Sequence, residues 1–148
     1  MEIILYQLLV TVLYVSGIQQ QGPMLRHSMV TQPAVSCAVF SNDGIHFLTG
    51  SHDQTVKVWD IITGEPLHSI DSKSVVTSVA FSSKGDHVIF GCHDWYVKSW
   101  KPWEHSAISK KYPYDKLGEH TSQVTSVCFS PDDLRLKTYN NSTVECRS

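Results

Sequence analysis

Val35, Cys37 and Val39 alternate with Ser36, Ala38 and Phe40 in the stretch VSCAVF. A period of two predicts a strand whose two faces meet different neighbours. Ser41-Asn42-Asp43-Gly44 follows, a run of turn-forming residues. Ile45 to Ser51 resumes the apolar pattern as a second strand, and His52-Asp53-Gln54 turns the chain again. Thr55 to Ile61 is a third strand, with Val56 and Val58 on one face and Trp59 on the other. Ile62-Thr63-Gly64-Glu65 makes a further turn, and Pro66 to Ile70 reads as an edge strand, where proline is tolerated. Four short strands joined by turns predict one antiparallel sheet.

The whole pattern then returns. Val35 to Asp60 (VSCAVFSNDGIHFLTGSHDQTVKVWD) reappears 41 positions later as Val76 to Lys101 (VTSVAFSSKGDHVIFGCHDWYVKSWK). Phe40 falls on Phe81, Gly44 on Gly85, Gly50 on Gly91, His52-Asp53 on His93-Asp94, and Trp59 on Trp100. A third copy opens at Val124 (VTSVCFSPDD), with Phe129 placed 48 positions after Phe81, and then loses the pattern. A period in the low forties, running strand, turn, His-Asp and Trp, is the signature of a stacked repeat. On these residues the chain resembles the WD40-repeat family.

The resemblance implies an all-β fold, a partial WD40 β-propeller of about two full blades and part of a third. Closed rings hold roughly 4–8 blades, so 148 residues are too few to close one. Such an open set exposes strand edges and inter-blade faces, which favours association with another chain or with missing blades. The resemblance also implies a buried network in each blade: a His before the first strand, a Ser or Thr on the second, the turn Asp, and the Trp. Repeat one supplies Thr49, Asp53 and Trp59, with Thr31 at the His position. Repeat two supplies Asp94 and Trp100, with Ser72 and Phe90 at the other two places. Repeat three supplies His120 before it fades. No repeat carries the full set, and repeat two is the weakest by this count. Trp59 is expected to be buried and paired with its turn through Asp53.

The chain divides into an apolar N-terminal segment and linker (1–30), the repeats (31–138, as 31–70, 71–117 and an incomplete 118–138) and a polar tail (139–148). Ile3 to Val15 has three competing readings. It has the length of a signal-peptide core but lacks a positive flank, it is too short to span a membrane, and its Ile, Val, Thr and Tyr suit a buried strand or a foreign leader. The expectation is that it stays attached to a cytoplasmic or nuclear chain. Lys101 to Gly118 is expected to be an extended loop with a strand near Ile108 to Tyr112. Two glycosylation-type sequons start at Asn140 and Asn141.

Composition narrows function mainly by exclusion. A net charge of -2 without a basic run gives no sign of nucleic-acid binding. Cys37, Cys92, Cys128 and Cys146 show no CxxC spacing, and the eight histidines recur because the unit recurs, not at metal-ligand spacing. No cofactor is expected. No nucleophile elbow, phosphate loop or HExxH is present, so an enzyme is not expected either. What remains is an interaction module that helps assemble a protein complex, its partners being other proteins of unread identity. A truncated product without independent function, or a secreted or enzymatic role for the N-terminal segment, are the alternatives. The candidate contact residues are His52, His93 and Trp95, on equivalent turns of neighbouring blades, with Trp95 replacing the polar Gln54 of repeat one.

Overall fold

The computed structural model describes residues 35–104, 114–140 and 144–147. Its ordered elements are all strands: β1 (Val35–Phe40), β2 (His46–Ser51), β3 (Thr55–Asp60), β4 (Pro66–Asp71), β5 (Val76–Phe81), β6 (Val88–Cys92), β7 (Tyr96–Trp100), β8 (Tyr114–Glu119), β9 (Val124–Phe129), β10 (Leu136–Asn140) and β11 (Val144–Arg147). They form three antiparallel sheets, β1-β2-β3-β4, β5-β6-β7-β8 and β9-β10-β11, hereafter blades 1, 2 and 3. The partial propeller anticipated from the repeat is thus present, with the sheets stacked in chain order.

Equivalent registers put equivalent residues on equivalent faces. Phe40 pairs with Phe47 and Phe47 with Trp59, as Phe81 pairs with Val88 and Val88 with Trp100. Leu48, Val56, Val58 and Ile70 of blade 1 meet Val76, Val79, Val88, Phe90, Trp100 and Tyr114 of blade 2 in the larger apolar core. Ile89 and Val97, on the other face of blade 2, meet Val124 and Val127 of blade 3 in a smaller one. The fold is therefore held by burial between sheets, because a single blade has no interior of its own.

The first turn of each blade is built the same way. Gly44 and Gly85 stand at φ 69° and 73°, and the equivalent Asp133 adopts φ 56° without being glycine. A serine hydroxyl receives the backbone N–H that restarts the second strand in each case: His46 to Ser41, His87 to Ser82, and Arg135 to Ser130. The freed carboxylate of Asp133 reaches across to blade 2 and accepts the Ser83 N–H and hydroxyl. Asn42 makes the corresponding tie one blade earlier, donating to the Ser83 carbonyl.

Two strands lie outside the elements read from the sequence. The fourth strand of blade 2 is Tyr114–Glu119, beyond the anticipated Ile108 to Tyr112, which lies outside the described residues. Tyr114 belongs to the inter-blade core, and this burial sets the register of β8. Within 139–148, Tyr139 and Asn140 end β10, and Val144–Arg147 adds β11 to its open edge. The N-terminal segment and linker precede the described residues.

Candidate protein-contact face

The turns after the second strand of blades 1 and 2 project from the same side of the stack, and one short linker joins them. Ser72 N–H donates to the Gln54 carbonyl of the first turn, and His93 N–H donates to the Val75 carbonyl. Asp94 N–H donates to the Ser74 hydroxyl, so the linker 72–75 is clamped from both sides. The Trp95 carbonyl accepts His120 N–H from the next linker. His52 and His93 are exposed on these turns, and Trp95 keeps 48% of its surface in solvent. Among the described residues their three side chains make no hydrogen bond or ring contact with one another. They share a face without forming a closed cluster.

Trp95 shares the left-handed backbone of its blade 1 counterpart. It stands at φ 69°, as Gln54 does at φ 73° in blade 1. Left-handed backbone is costly for a bulky side chain, on the order of 1–2 kcal/mol. Such strain persists where the surroundings hold it, and it clusters at functional positions. Here the His120 hydrogen bond does the holding. Beside it, Tyr96 carries Lys116 over its ring at 3.6 Å and donates its hydroxyl to Glu119.

Beneath this face lie the residues expected to be structural. Trp59 Nε1–H donates to Thr49 Oγ1 at 2.9 Å, and its ring stacks on Phe47 at 5.7 Å. Its polar partner is Thr49, in place of the anticipated Asp53. Asp53 accepts instead from Thr55 N–H and the Thr55 hydroxyl inside its own turn. Trp59, expected to be largely buried, is half-buried, whereas Trp100 is buried between blades. His120 is buried and bonds Thr138 Oγ1 at 2.8 Å, with Asn140 on its other ring nitrogen at 3.4 Å.

Blade 2 replaces the missing network with a different one. Lys98 is wholly buried, and its ammonium donates to Asp94 Oδ2 at 2.6 Å and the Ser72 carbonyl at 2.8 Å. Tyr114 donates its hydroxyl to the same carbonyl, and the Lys98 ammonium lies 5.2 Å from the Tyr114 ring centre. Sequence reasoning missed Lys98, Tyr114 and Thr138. The signal for Thr138 was in the repeat register, since it stands 89 positions after Thr49. Nearby Cys92 is buried, which pushes its thiol up to about 11. Among the described residues no group of His, Cys, Asp or Glu is arranged to hold a metal ion.

The sequence profile described as "WD domain, G-beta repeat" matches residues 24–60, 64–101 and 111–136. The chain belongs to the WD40 family. This WD40 chain is 50% identical over 32 residues to "Dynein assembly factor with WD repeat domains 1" of Xenopus laevis, covering 22% of this chain and 8% of that protein. The protein of the same name from Danio rerio is 47% identical over 32 residues, with the same coverage of 22% and 8%. The matched stretch thus spans a small part of these relatives. Among solved structures, the WD40 repeats of RRP9 superpose with a TM-score of 0.67 at 19% identity, over 84% of this chain and 37% of that one. The Cps50 (Swd1) β-propeller domain of Myceliophteria thermophila gives 0.58 at 22% identity, over 70% and 32%. These likenesses establish the propeller fold.

Proposed function

We propose that this WD40 chain is a non-catalytic interaction module that helps assemble a protein complex, and that it contacts a partner through His52, His93 and Trp95. The observation that carries the reading is the indole of Trp95, half exposed on a turn held in a strained backbone. Aromatic side chains anchored on rigid turns dominate binding energy at protein interfaces. Asp53 and Asp94 act on the turns themselves, accepting from Thr55 and from Lys98. The relatives' name as assembly factors supports the assembly part of the reading. Cys37, Cys92 and Cys128 are unpaired, which supports a reducing compartment such as cytoplasm or nucleus. No helix among the described residues is long and apolar enough to cross a membrane.

The test is recovery of bound protein by the full chain and by Trp95→Ala, with circular dichroism confirming equal sheet content. The partner recovered by the wild-type chain should bind the variant more weakly by about 2 kcal/mol or more. Equal affinity would remove Trp95 from the contact surface.

A further inference from the structure

Blades 1 and 2 close their second turns with equivalent carboxylates and different partners. In blade 1, Asp53 Oδ1 accepts the Thr55 N–H at 2.9 Å and the Thr55 hydroxyl at 2.6 Å. A residue two places on thus secures the turn, with the left-handed Gln54 bracketed between the two. Tyr96 stands 41 positions after Thr55 and carries its hydroxyl at the far end of a ring, where it donates to Glu119 at 3.1 Å. The Tyr96 N–H still meets Asp94 Oδ1, but at 3.4 Å, a longer and weaker bond than its counterpart. The local hydroxyl that closes the first turn has no equivalent in the second.

Lys98 takes over from below. Its ammonium donates to Asp94 Oδ2 at 2.6 Å and to the Ser72 carbonyl at 2.8 Å. One carboxylate therefore meets the Tyr96 N–H with one oxygen and the core ammonium with the other, and Trp95 lies between Asp94 and Tyr96 in the chain. Lys57, the equivalent in blade 1, places its ammonium 5.7 Å from the Trp59 ring centre. The enclosure of Lys98 comes from its neighbours. Phe90 faces it across the sheet where Thr49 faces Lys57, and Tyr114 donates its hydroxyl to the same Ser72 carbonyl. An ammonium wholly removed from water holds its carboxylate firmly, because separation would leave it buried without a counter-charge.

We infer that Lys98 is the positioning residue of the Trp95 turn: from the core it keeps the Asp94 carboxylate closed around Trp95, as the Thr55 hydroxyl does around Gln54. Resting on the reading of Trp95 as a contact residue, this gives a buried lysine control over the rigidity of an exposed anchor. An aromatic group already held in place loses less freedom when it binds. Lys98 itself is 0% exposed, so any effect it has on a partner passes through the turn.

The experiment exchanges one anchor for the other. Lys98→Met removes the ammonium and keeps an apolar stem, and K98M/Y96T supplies a local hydroxyl beside Asp94. Amide hydrogen exchange is followed by NMR on the full free chain at Asp94 and Tyr96, with Asp53 and Thr55 as reference, all four N–H groups being hydrogen-bonded within or beside their turns. Lys98→Met should speed exchange at Asp94 and Tyr96 by about tenfold or more relative to the reference amides, the loss of a charge-assisted hydrogen bond. The Trp95 indole N–H should become more mobile in the same variant. K98M/Y96T should bring both readings back toward wild type. Equal acceleration in the two turns would make Lys98 a general stabiliser and overturn the proposal, as would the absence of recovery in K98M/Y96T. Should Lys98→Met lose its sheet signal, K98M/D94N leaves no charge unpaired and is measured in its place. K98M/D94N/Y96T is then the rescue, under the same two outcomes. These readings need no partner, so they stand apart from Trp95→Ala, whose unchanged affinity would remove the contact and leave the positioning. If Trp95→Ala does weaken the partner recovered by wild type, Lys98→Met should weaken it too and K98M/Y96T should restore it. A loosened turn with full affinity would then deny Lys98 its part in the contact.

Discussion

Lys98 and Lys57 occupy the same place in successive repeats and lead different lives. Lys57 is half-buried with its ammonium 5.7 Å from the Trp59 ring centre, while Lys98 is fully enclosed between Asp94, Ser72 and Tyr114. The difference arises one strand away. Phe90 replaces Thr49, so Trp100 has no hydroxyl there to meet, and the Lys98 ammonium donates to the Ser72 carbonyl instead. A buried charge is tolerated only with good partners, and removing one partner of such a pair is strongly destabilising. Lys98→Ala should cost about 3–5 kcal/mol in urea denaturation. Lys98→Met combined with Asp94→Asn should cost distinctly less, because no charge is then left without its mate. A double variant no more stable than Lys98→Ala would deny the pair its role.

The turns are where sequence reading did best, since their chemistry is local. Ser41-Asn42-Asp43-Gly44 and its copies close as their residues dictate, through a serine hydroxyl, an aspartate and a left-handed fourth position. Their carboxyls are held below the usual value of 3.8. Hydrogen bonding from His87, then from Ser82, brings Asp86 to about 2, while Ser41 lowers Asp43 and Ser130 lowers Asp132. Folded values below the unfolded one mean a stabilisation complete above about pH 4 and lost as pH falls through the folded values toward 2. The melting temperature should therefore fall between pH 4 and pH 2, and Asp86→Asn should make that fall shallower. An identical profile for the variant would show that Asp86 takes no part. Strand β8 was not placed by the sequence, for the opposite reason. Nothing between Lys101 and Gly118 repeats, and the position of that strand is decided by Tyr114 entering the core between blades 1 and 2.

Three stacked sheets without ring closure depend on their seams. Gly50 and Gly91 matter there for the absence of a side chain, not for backbone freedom, because a valine of the next blade fills the space. Gly50→Ala should destabilise the chain by about 1–3 kcal/mol, as overpacking of a filled core does. Val76→Ala added to it should recover part of that loss, which equilibrium unfolding of the two variants would measure. No recovery would mean that the clash lies elsewhere.

Repeat period, strand order, first-turn chemistry and family were all legible in the chain, because each depends on neighbours a few residues apart or on copies in fixed register. The enclosure of Lys98 and the position of β8 were not. Each of these depends on which residues of one strand or sheet face those of the next. Two identical motif positions acquire different environments once sheets stack, and only the stacked sheets decide which side chain fills which space.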